Sequence, residues 1–412
     1  MDEGTRPDAG TRPATIGRRI RAERTRQGLS LRQLGTLSGL SKGFLSRVEN
    51  GLSSLDERRT LHAVADALRV PVAKLTGQPY DPATRQEQTV RVAVGDIRDV
   101  LYGVEVGESY EAPTRDLGAL TVSVGRVEEL RGECALGRCG PLLAPLLSDL
   151  YGHAADHREG VRQAALPLLV EVLNVVRDLT HWAGEPELAY RASEQAVAAA
   201  GLADNPALLG FARFGLIHSL GHVDGRHARA RAGALAVRGA DELQPHAGAV
   251  GPAAEMYGML HLTAAWSRVL SGATADADAH LREAAETAGR TGDGHAYRMC
   301  FGPANVAAWR VSLAVEAVEA GGRVRELARE VNVAALPVRE RRAGHWINVG
   351  RGLAQDPRTA PRAVEAFRRA QRLTPMRTRL NPFVRVATER LLYEVGGSEV
   401  RQFAVWLGII PR

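Results

Sequence analysis

Apolar residues recur at helical spacing between residues 15 and 76 and predict five short helices. Ile16 and Ile20 lie one turn apart in the first helix, and Pro71 stands where the fifth helix, covering residues 72–75, begins. The apolar positions of the second, third and fourth helices are Leu31, Leu34 and Gly35; Leu45 and Val48; and Leu61, Val64, Ala65 and Leu68. Spacing of three to four residues places one side of each helix in a shared core.

The second and third of these helices are joined by a tight turn. Ser30 and Ser41 stand where N-caps are expected, and Gly39 interrupts the helical pattern between them. A small residue, Gly35, lies where the two helices cross and permits a steep angle between them. The arrangement is typical of a helix-turn-helix, which lays its second helix in the major groove of DNA.

Beyond residue 84 the chain is rich in alanine and leucine, and we predict helices even where valine is frequent, from residue 89 to 125. One stretch reproduces the tetratricopeptide pattern. Its first helix carries Trp346, Val349, Gly350 and Leu353, and its second carries Ala363, Phe367 and Ala370, followed by Pro375. Degenerate second-helix signatures recur at Ala192/Ala196/Ala199, Ala228/Ala232/Leu235, Ala277/Leu281/Ala284 and Val324/Ala328/Val331. We therefore predict about five helix pairs between residues 161 and 375.

Charge separates the two parts of the chain. The first 80 residues hold 14 Lys and Arg against 8 Asp and Glu, whereas the other 332 residues hold 39 of each, so the net charge of +6 lies at the N-terminal end. Phosphate binding requires such an excess of positive charge. No run of 18 apolar residues and no signal-peptide pattern occurs, and three cysteines do not form a disulfide framework. We expect a cytoplasmic protein without membrane contact.

Candidate chemistry is sparse. The chain has no phosphate-binding loop, dinucleotide fingerprint or hydrolase motif, and we expect no enzyme activity and no cofactor. A metal site at His218, His222, Asp224 and His227 is the weaker interpretation, and polar residues at a helix end are the stronger one. For Asn305, Trp309 and Arg310 two interpretations stay open. They are effector-binding residues, since an asparagine amide can hold a peptide backbone, or they are a local cap and inter-helix core.

The N-terminal segments RxxxGLS (24–30), LRQL (31–34), SGLSKGFLSRVENG (38–51) and ADALRVPVAKL (65–75) resemble the phage-repressor-like Xre family. The resemblance implies that base edges are contacted by Lys42, Gly43 and Arg47, with Phe44 beside the backbone or a thymine methyl. It implies phosphate contacts for Gln33, Ser41, Ser46 and Asn50. It also implies an ion pair between Arg24 and Glu49. Together with the repeats, the chain resembles actinobacterial regulators and, in architecture, peptide-pheromone receptors of the Rgg and PlcR kind.

The sequence thus predicts an all-α protein with a disordered tail (1–14), a five-helix DNA-binding domain (15–76), a linker (77–84) and a tetratricopeptide-like α-solenoid (85–412). The predicted function is a homodimeric transcriptional regulator that reads a palindromic operator in double-stranded DNA. A small-molecule or peptide effector, bound near Asn305, would change the curvature of the repeats and act through the linker. The alternative is a repeat scaffold that docks a partner protein, with DNA binding secondary.

Overall fold

The computed structural model describes residues 15–53, 55, 57–108, 112–223, 225–319 and 321–411. The predicted tail lies outside these residues. The described residues form α-helices and short 3₁₀ turns without a strand, so the all-α prediction is confirmed, the valine-rich stretch included. The first five helices are α1 (Ile16–Arg26), α2 (Leu31–Ser38), α3 (Lys42–Glu49), α4 (Arg58–Leu68) and α5 (Val72–Thr76).

These five helices form a compact unit, here called the head (residues 15–76). Of its predicted core positions, Ile20, Leu34, Leu45 and Leu61 are fully buried, whereas Leu31 is only partly buried. Gly39 ends α2 with φ of 73°, a left-handed conformation that favours glycine. A methyl group on Gly35 would come within 2.6 Å of the carbonyl oxygen of Leu40. The predicted small residue is therefore what allows α2 and α3 to cross.

The remaining helices form a solenoid, here called the repeat domain. Its helices are α6 (Arg85–Gly103), α7 (Leu117–Gly132), α8 (Leu136–Ala154), α9 (Glu159–Ala183), α10 (Pro186–Gly201), α11 (Pro206–His222), α12 (Arg226–Leu243), α13 (Pro252–Ser271), α14 (Thr274–Thr291), α15 (Pro303–Glu316), α16 (Gly321–Glu330), α17 (Arg339–Ala354), α18 (Ala360–Leu373), α19 (Pro375–Leu380), α20 (Pro382–Glu394) and α21 (Ser398–Leu407). The helices from α9 to α18 pack as five successive pairs. The predicted number of repeats is therefore found.

Small residues set the distance between paired helices. In the clearest repeat, a methyl group on Gly350 of α17 would lie 2.4 Å from the ring of Phe367 of α18. The ring occupies the space that a side chain at position 350 would fill. The degenerate signature on α10 behaves alike, because Ala192, Ala196 and Ala199 are buried. Each of the other three has one partly buried member, namely Ala228, Leu281 and Ala328. Alanine at these positions lets the helices approach closely and bury a continuous core.

The last helices close the end of the solenoid. Of the large apolar groups that the sequence places there, Leu391, Phe403, Leu407 and Ile409 are buried within the same chain, whereas Val395 is exposed. The terminal segment thus acts as the cap that a repeat array needs. Helix α20 also reaches the head, since Phe383 and Val386 pack into its core cluster.

The head is docked against the repeat domain through α4. The apolar side of α4 lies in the head core, and its polar side carries Arg58, His62 and Asp66 at intervals of four residues toward the repeats. The predicted linker is packed as well, because the guanidinium of Arg385 lies 4.1 Å from the ring centroid of Tyr80. Head and repeats therefore meet through an extended contact rather than through a free tether.

Candidate nucleic-acid interface and ligand groove

The two helices of the helix-turn-helix are fixed by side-chain caps. Ser30 Oγ accepts from the backbone N–H of Gln33 (3.2 Å), and Gln33 Oε1 accepts from the N–H of Ser30 (2.8 Å). This reciprocal pair is a capping box, which satisfies two N–H groups at the start of α2. Ser41 Oγ accepts from the N–H of Phe44 at the start of α3 (3.1 Å). The caps hold both helix N-termini at the protein surface.

The residues predicted to contact DNA lie on one exposed side of α3 and beside it. Lys42, Gly43 and Arg47 are exposed, while Phe44 and Ser46 are half-buried. Asn50 is exposed and donates from Nδ2 to the carbonyl of Ser46 (2.8 Å), which leaves its second amide hydrogen available. Gln33 and Ser41 take part in the caps through their oxygens and keep their own hydrogens for donation. This surface presents cations and donors, as a phosphate backbone and guanine edges require.

A bidentate ion pair holds α3 against α1. Arg24 Nε donates to Glu49 Oε1 (2.6 Å), and Arg24 Nη2 donates to Glu49 Oε2 (2.8 Å). Nη1 of Arg24 also donates to the carbonyl of Leu29 (2.6 Å), before α2. The Glu49 side chain is 4% exposed and that of Arg24 is 14% exposed. The predicted pair therefore exists and joins three segments of the head.

A second charged cluster joins the head to the repeat domain. Glu316, at the end of α15, accepts from Arg351 Nη1 (2.9 Å) and from Arg58 Nε of the head (3.4 Å). Both guanidinium groups also lie over the ring of Phe383, at 4.6 and 4.4 Å from its centroid. Burial raises the pKa of Glu316, but the charges of Arg351 and Arg58 outweigh burial and lower the pKa to about 2. The cluster is therefore charged at neutral pH.

Two histidines extend this docking contact. His222 Nδ1 lies 3.0 Å from Arg58 Nη1, and His62 Nδ1 lies 3.1 Å from Arg229 Nη1. A guanidinium only donates hydrogen bonds, so each Nδ1 accepts and carries no proton. Burial, followed by the charges of Arg229 and Arg58, lowers the pKa of His62 to about 3. The contact thus requires neutral histidines.

The inner surface of the solenoid contains two adjoining cavities. The first, here called the histidine cavity, has a volume of about 190 Å³ and includes Arg177, Phe214 and His218 in its walls. The second, here called the asparagine cavity, has a volume of about 140 Å³ and includes Asn305, Trp309 and His345. They share the lining residues Glu340, Arg341 and Arg377. Together they form the inner groove.

The mouth of this groove lies against the head. A third cavity between head and repeats is lined by Arg58 and His62 of α4 and by Phe383 of α20. His181, Trp182, His222 and Arg377 line both this cavity and the histidine cavity. The inner groove and α4 are therefore joined by side chains that contact both spaces.

Asn305 and Trp309 line the asparagine cavity, as the effector interpretation requires, but Arg310 does not. Arg310 donates from Nη1 to Glu330 of α16 (2.8 Å), because a helix turns about 100° per residue and directs its side chain to the neighbouring helix. Asn305 does not act as a local cap. It is 2% exposed, and its Nδ2 donates to the thioether of Met259 at 3.5 Å.

The sequence did not identify most of the groove residues. It interpreted His218 and His222 as polar helix-end residues, whereas both lie on the groove side of α11, and Asp224 lies outside the described residues. No group of three metal-binding side chains occurs in the part of the chain that the structure describes. Arg177, Arg341 and Arg377 carried no sequence signal, because arginine is frequent throughout the chain, and His345 was not singled out either.

Cys134, Cys139 and Cys300 are buried and unpaired with one another. Burial raises the pKa of Cys134 and of Cys139 to about 12, which keeps both thiols protonated. Cys139 packs in the core of the repeat domain. Within the described ranges, no helix is long and apolar enough to span a membrane.

Known proteins resemble the chain mainly in the head. A family described as a helix-turn-helix domain matches residues 15–76. The repressor RghR of Bacillus subtilis is 37% identical over 57 residues, which are 14% of this chain and 42% of that protein. The regulator SlrR of the same organism is 40% identical over 103 residues, which are 24% of this chain and 66% of that protein. The chain thus covers less than two thirds of either relative.

A solved structure, Bacillus thuringiensis PlcR in complex with the peptide PapR7 and DNA, matches with a TM-score of 0.32 and 10% identity, over 77% of this chain and 92% of that one. RghR and SlrR are both named as HTH-type transcriptional regulators. Residues 15–76 of this chain are accordingly a helix-turn-helix domain, with α2 and α3 as its two defining helices.

Proposed function

We propose that the protein is a cytoplasmic transcriptional regulator that binds double-stranded DNA through α3 and an effector through its inner groove. The observation that carries the proposal is the exposed side of α3. Lys42, Gly43 and Arg47 stay accessible although the head is docked, because docking uses α4 and the residues of the head that contact α20. The positive charge of the N-terminal region and the names of the two relatives support DNA as the partner.

Arg47 is the most informative residue for testing DNA reading. A side chain of this type in the major groove donates two hydrogen bonds to one guanine. We expect Arg47→Ala to weaken binding to a selected operator by about 1–3 kcal/mol and to relax the preference at one base pair per half-site. Selection from a random DNA library, followed by fluorescence anisotropy with the selected site, measures both effects.

Arg282→Ala is the matched control, since Arg282 is exposed on α14 in the repeat domain and its loss changes the net charge equally. Its affinity and base preference are expected to equal those of the wild type. Equal behaviour of both variants would contradict base reading by Arg47 and reduce its role to nonspecific charge.

The groove supports a sensor more than a scaffold. A docking scaffold needs a broad exposed apolar surface, whereas a ligand site is concave and combines aromatic walls with a few placed polar groups. The inner groove has the second character, with Trp309 and Phe214 beside Asn305 and several arginines. Native mass spectrometry of the purified full chain tests this part, and a stoichiometric small molecule or peptide is expected.

We further propose that the protein acts as a homodimer on a palindromic operator. One head provides one recognition helix, and two such helices about 34 Å apart read two half-sites. Effector binding would change DNA binding by favouring one docked position of the head, in proportion to its differential affinity for the two states. Sedimentation of the full chain, alone and with DNA holding one or two half-sites, tests the assembly. A monomer that binds both DNAs equally would exclude it.

A further inference from the structure

Two facing helices of the inner groove present matching polar stripes to the asparagine cavity. Helix α15 contributes Asn305, Trp309 and Ser312, and α17 contributes Arg341, His345 and Asn348. Both sets follow the spacing i, i+4, i+7, which places their members on one side of a helix. Such stripes cost stability in a buried position unless hydrogen-bond partners meet them.

Asn348 accepts from Arg351 Nη1 (3.3 Å), but two other polar groups of these stripes, on His345 and Asn305, lack adequate partners among the described residues. Both ring nitrogens of His345 are buried without a hydrogen-bond partner among the described residues, and the residue is 3% exposed. Burial lowers its pKa to about 4, so the ring is neutral at pH 7 and offers one donor and one acceptor. Asn305 donates to a thioether, which is a weak acceptor. Both side chains are therefore positioned for a partner that lies in the cavity.

Arg341 is a cation without a carboxylate partner. Within the described ranges, its Nη2 contacts the sulfur of Met299 at 3.9 Å, its Nε is buried without a partner, and no ion pair includes it. The other arginines of the groove differ in this respect. Arg177 pairs with Asp178 (2.8 Å), and Arg377 pairs with Glu340 (3.5 Å). Arg341 lines both cavities, where its charge lowers the pKa of Glu340, and in each cavity arginines outnumber carboxylates, so the lining keeps an excess of positive charge.

Aromatic rings line the same two cavities as Arg341. The ring centroids of His218 and Trp309 lie 5.9 Å apart, and the ring of Phe214 lies 4.4 Å from that of His218. Trp309 belongs to the asparagine cavity and the other two rings to the histidine cavity. A cavity of about 150 Å³ holds a benzene-sized molecule, and each of these two is of that order.

From these contacts we infer that the inner groove binds a small aromatic anion, a carboxylate, sulfonate or phosphate ester whose charged group pairs with Arg341. The ring lies among Trp309, His218 and Phe214, and a further polar group meets His345 and Asn305. The inference rests on the proposed effector function and specifies the chemical class of the effector.

A pair of fluorescent probes tests the inference on the full chain. 1-Anilinonaphthalene-8-sulfonate carries an aromatic body and an anion, and N-phenyl-1-naphthylamine has the same aromatic body without the charge. We expect the sulfonate to bind once per chain and at least about tenfold more tightly than the amine, since a hydrogen bond to a charged group contributes this much. Arg341→Gln should abolish the difference between the probes while binding of the amine stays unchanged.

Arg310→Gln is the control, because Arg310 lies on α15 but outside the cavity. It should retain the preference for the sulfonate. Circular dichroism melting of each variant verifies that the fold is intact, and Arg341→Lys, which keeps the charge, should restore part of the preference. The inference would be overturned if both probes bound equally, if both glutamine variants had equal effects, or if sulfonate binding did not saturate up to 1 mM. DNA binding by the wild type in the operator assay is independent of these outcomes, so the two proposals fail separately.

Discussion

The head and the inner groove both depend on arginine, but they hold it in opposite environments. In the head, Lys42 and Arg47 are exposed, and their charges remain solvated until DNA is bound. In the groove, Arg177, Arg341 and Arg377 are withdrawn from solvent, and two of them are held by carboxylates. An exposed cation costs nothing to keep and gives affinity through counterion release. A cation that is partly withdrawn from water is costly unless carboxylates or a ligand match it, and this cost is the basis on which we infer an anionic ligand beside Arg341.

The two regions also differ in how their ion pairs are built. Arg24 and Glu49 lie within one small domain and fix the angle of its recognition helix. Arg58, Glu316 and Arg351 come from the head and from two repeats, and they fix the position of one domain on another. The first pair therefore determines the fold of the head, and the second determines where the head sits.

The largest expected effect comes from Glu316→Gln. This change removes the one carboxylate that both guanidinium groups contact and leaves Arg58 and Arg351 buried with like charges. Loss of one partner from a buried ion cluster costs about 3–5 kcal/mol. We expect urea unfolding to show this loss, and limited proteolysis to cut residues 77–84 faster because the head detaches.

Glu330→Gln is the control for this variant, because Glu330 forms an exposed pair with Arg310. An exposed pair contributes at most about 1 kcal/mol. If both variants unfold alike and the linker is cut at the wild-type rate, the cluster does not determine head docking.

Glu49→Gln is expected to have the next largest effect, at about 3 kcal/mol, because the Arg24 side chain keeps some access to water. The loss is expected within the head, as a lower melting temperature of the helix-turn-helix and weaker operator binding. The rate of proteolysis between residues 77 and 84 should increase less than it does in Glu316→Gln. If the melting temperature of Glu49→Gln equals that of the wild type, the ion pair does not stabilise the head.

The contrast between the regions explains what the sequence could predict. The head is built from residues near one another in the chain, so caps, glycine turn and core spacing identified its five helices and the Arg24–Glu49 pair followed from resemblance. The repeats were predicted from small residues such as Gly350, whose packing is also local. The groove is different, because Arg177, His218 and Arg341 come from three separate repeats. Helical spacing shows that His218 and His222 share one side of α11 but not what that side faces.

Asn305 and Arg310 show the same limit within one helix. Asparagine is unfavourable inside a helix, and this local cost identified residue 305. Nothing local distinguishes Trp309 from Arg310, and only packing of α15 between α16 and α17 directs one to the cavity and the other to Glu330. Docking of the head through α4 was equally hidden, since Arg58, His62 and Asp66 have the spacing of an ordinary solvated helix side.

The smallest expected effect, and the one that separates the two regions most clearly, comes from lowering the pH from 7.5 to 5. His62 accepts from Arg229 and His222 accepts from Arg58 only while they are neutral. The pKa of each histidine lies below its ordinary value of 6.5, and that of His62 is about 3. Burial is the main cause, followed by neighbouring charges that include Arg58. Because the folded pKa is below the unfolded one, this stabilisation is complete above pH 6.5 and declines as the pH falls from 6.5 toward 3. For His62 alone we expect about 2 kcal/mol of it to be lost at pH 5, because that pH lies below the unfolded pKa and above the folded one.

The Arg24–Glu49 pair contains no histidine, so it does not depend on a neutral ring as the docking contact does. Mild acid should therefore loosen docking while the head stays folded. Faster proteolysis between residues 77 and 84 at pH 5, using a protease active at both pH values, together with unchanged head melting, is the expected result. His62→Asn should reduce the pH dependence, because its side chain can accept from Arg229 without binding a proton. If the variant and the wild type show the same pH dependence, His62 does not cause the pH response of the contact. If the head loses its structure at the same pH, the two regions do not respond separately.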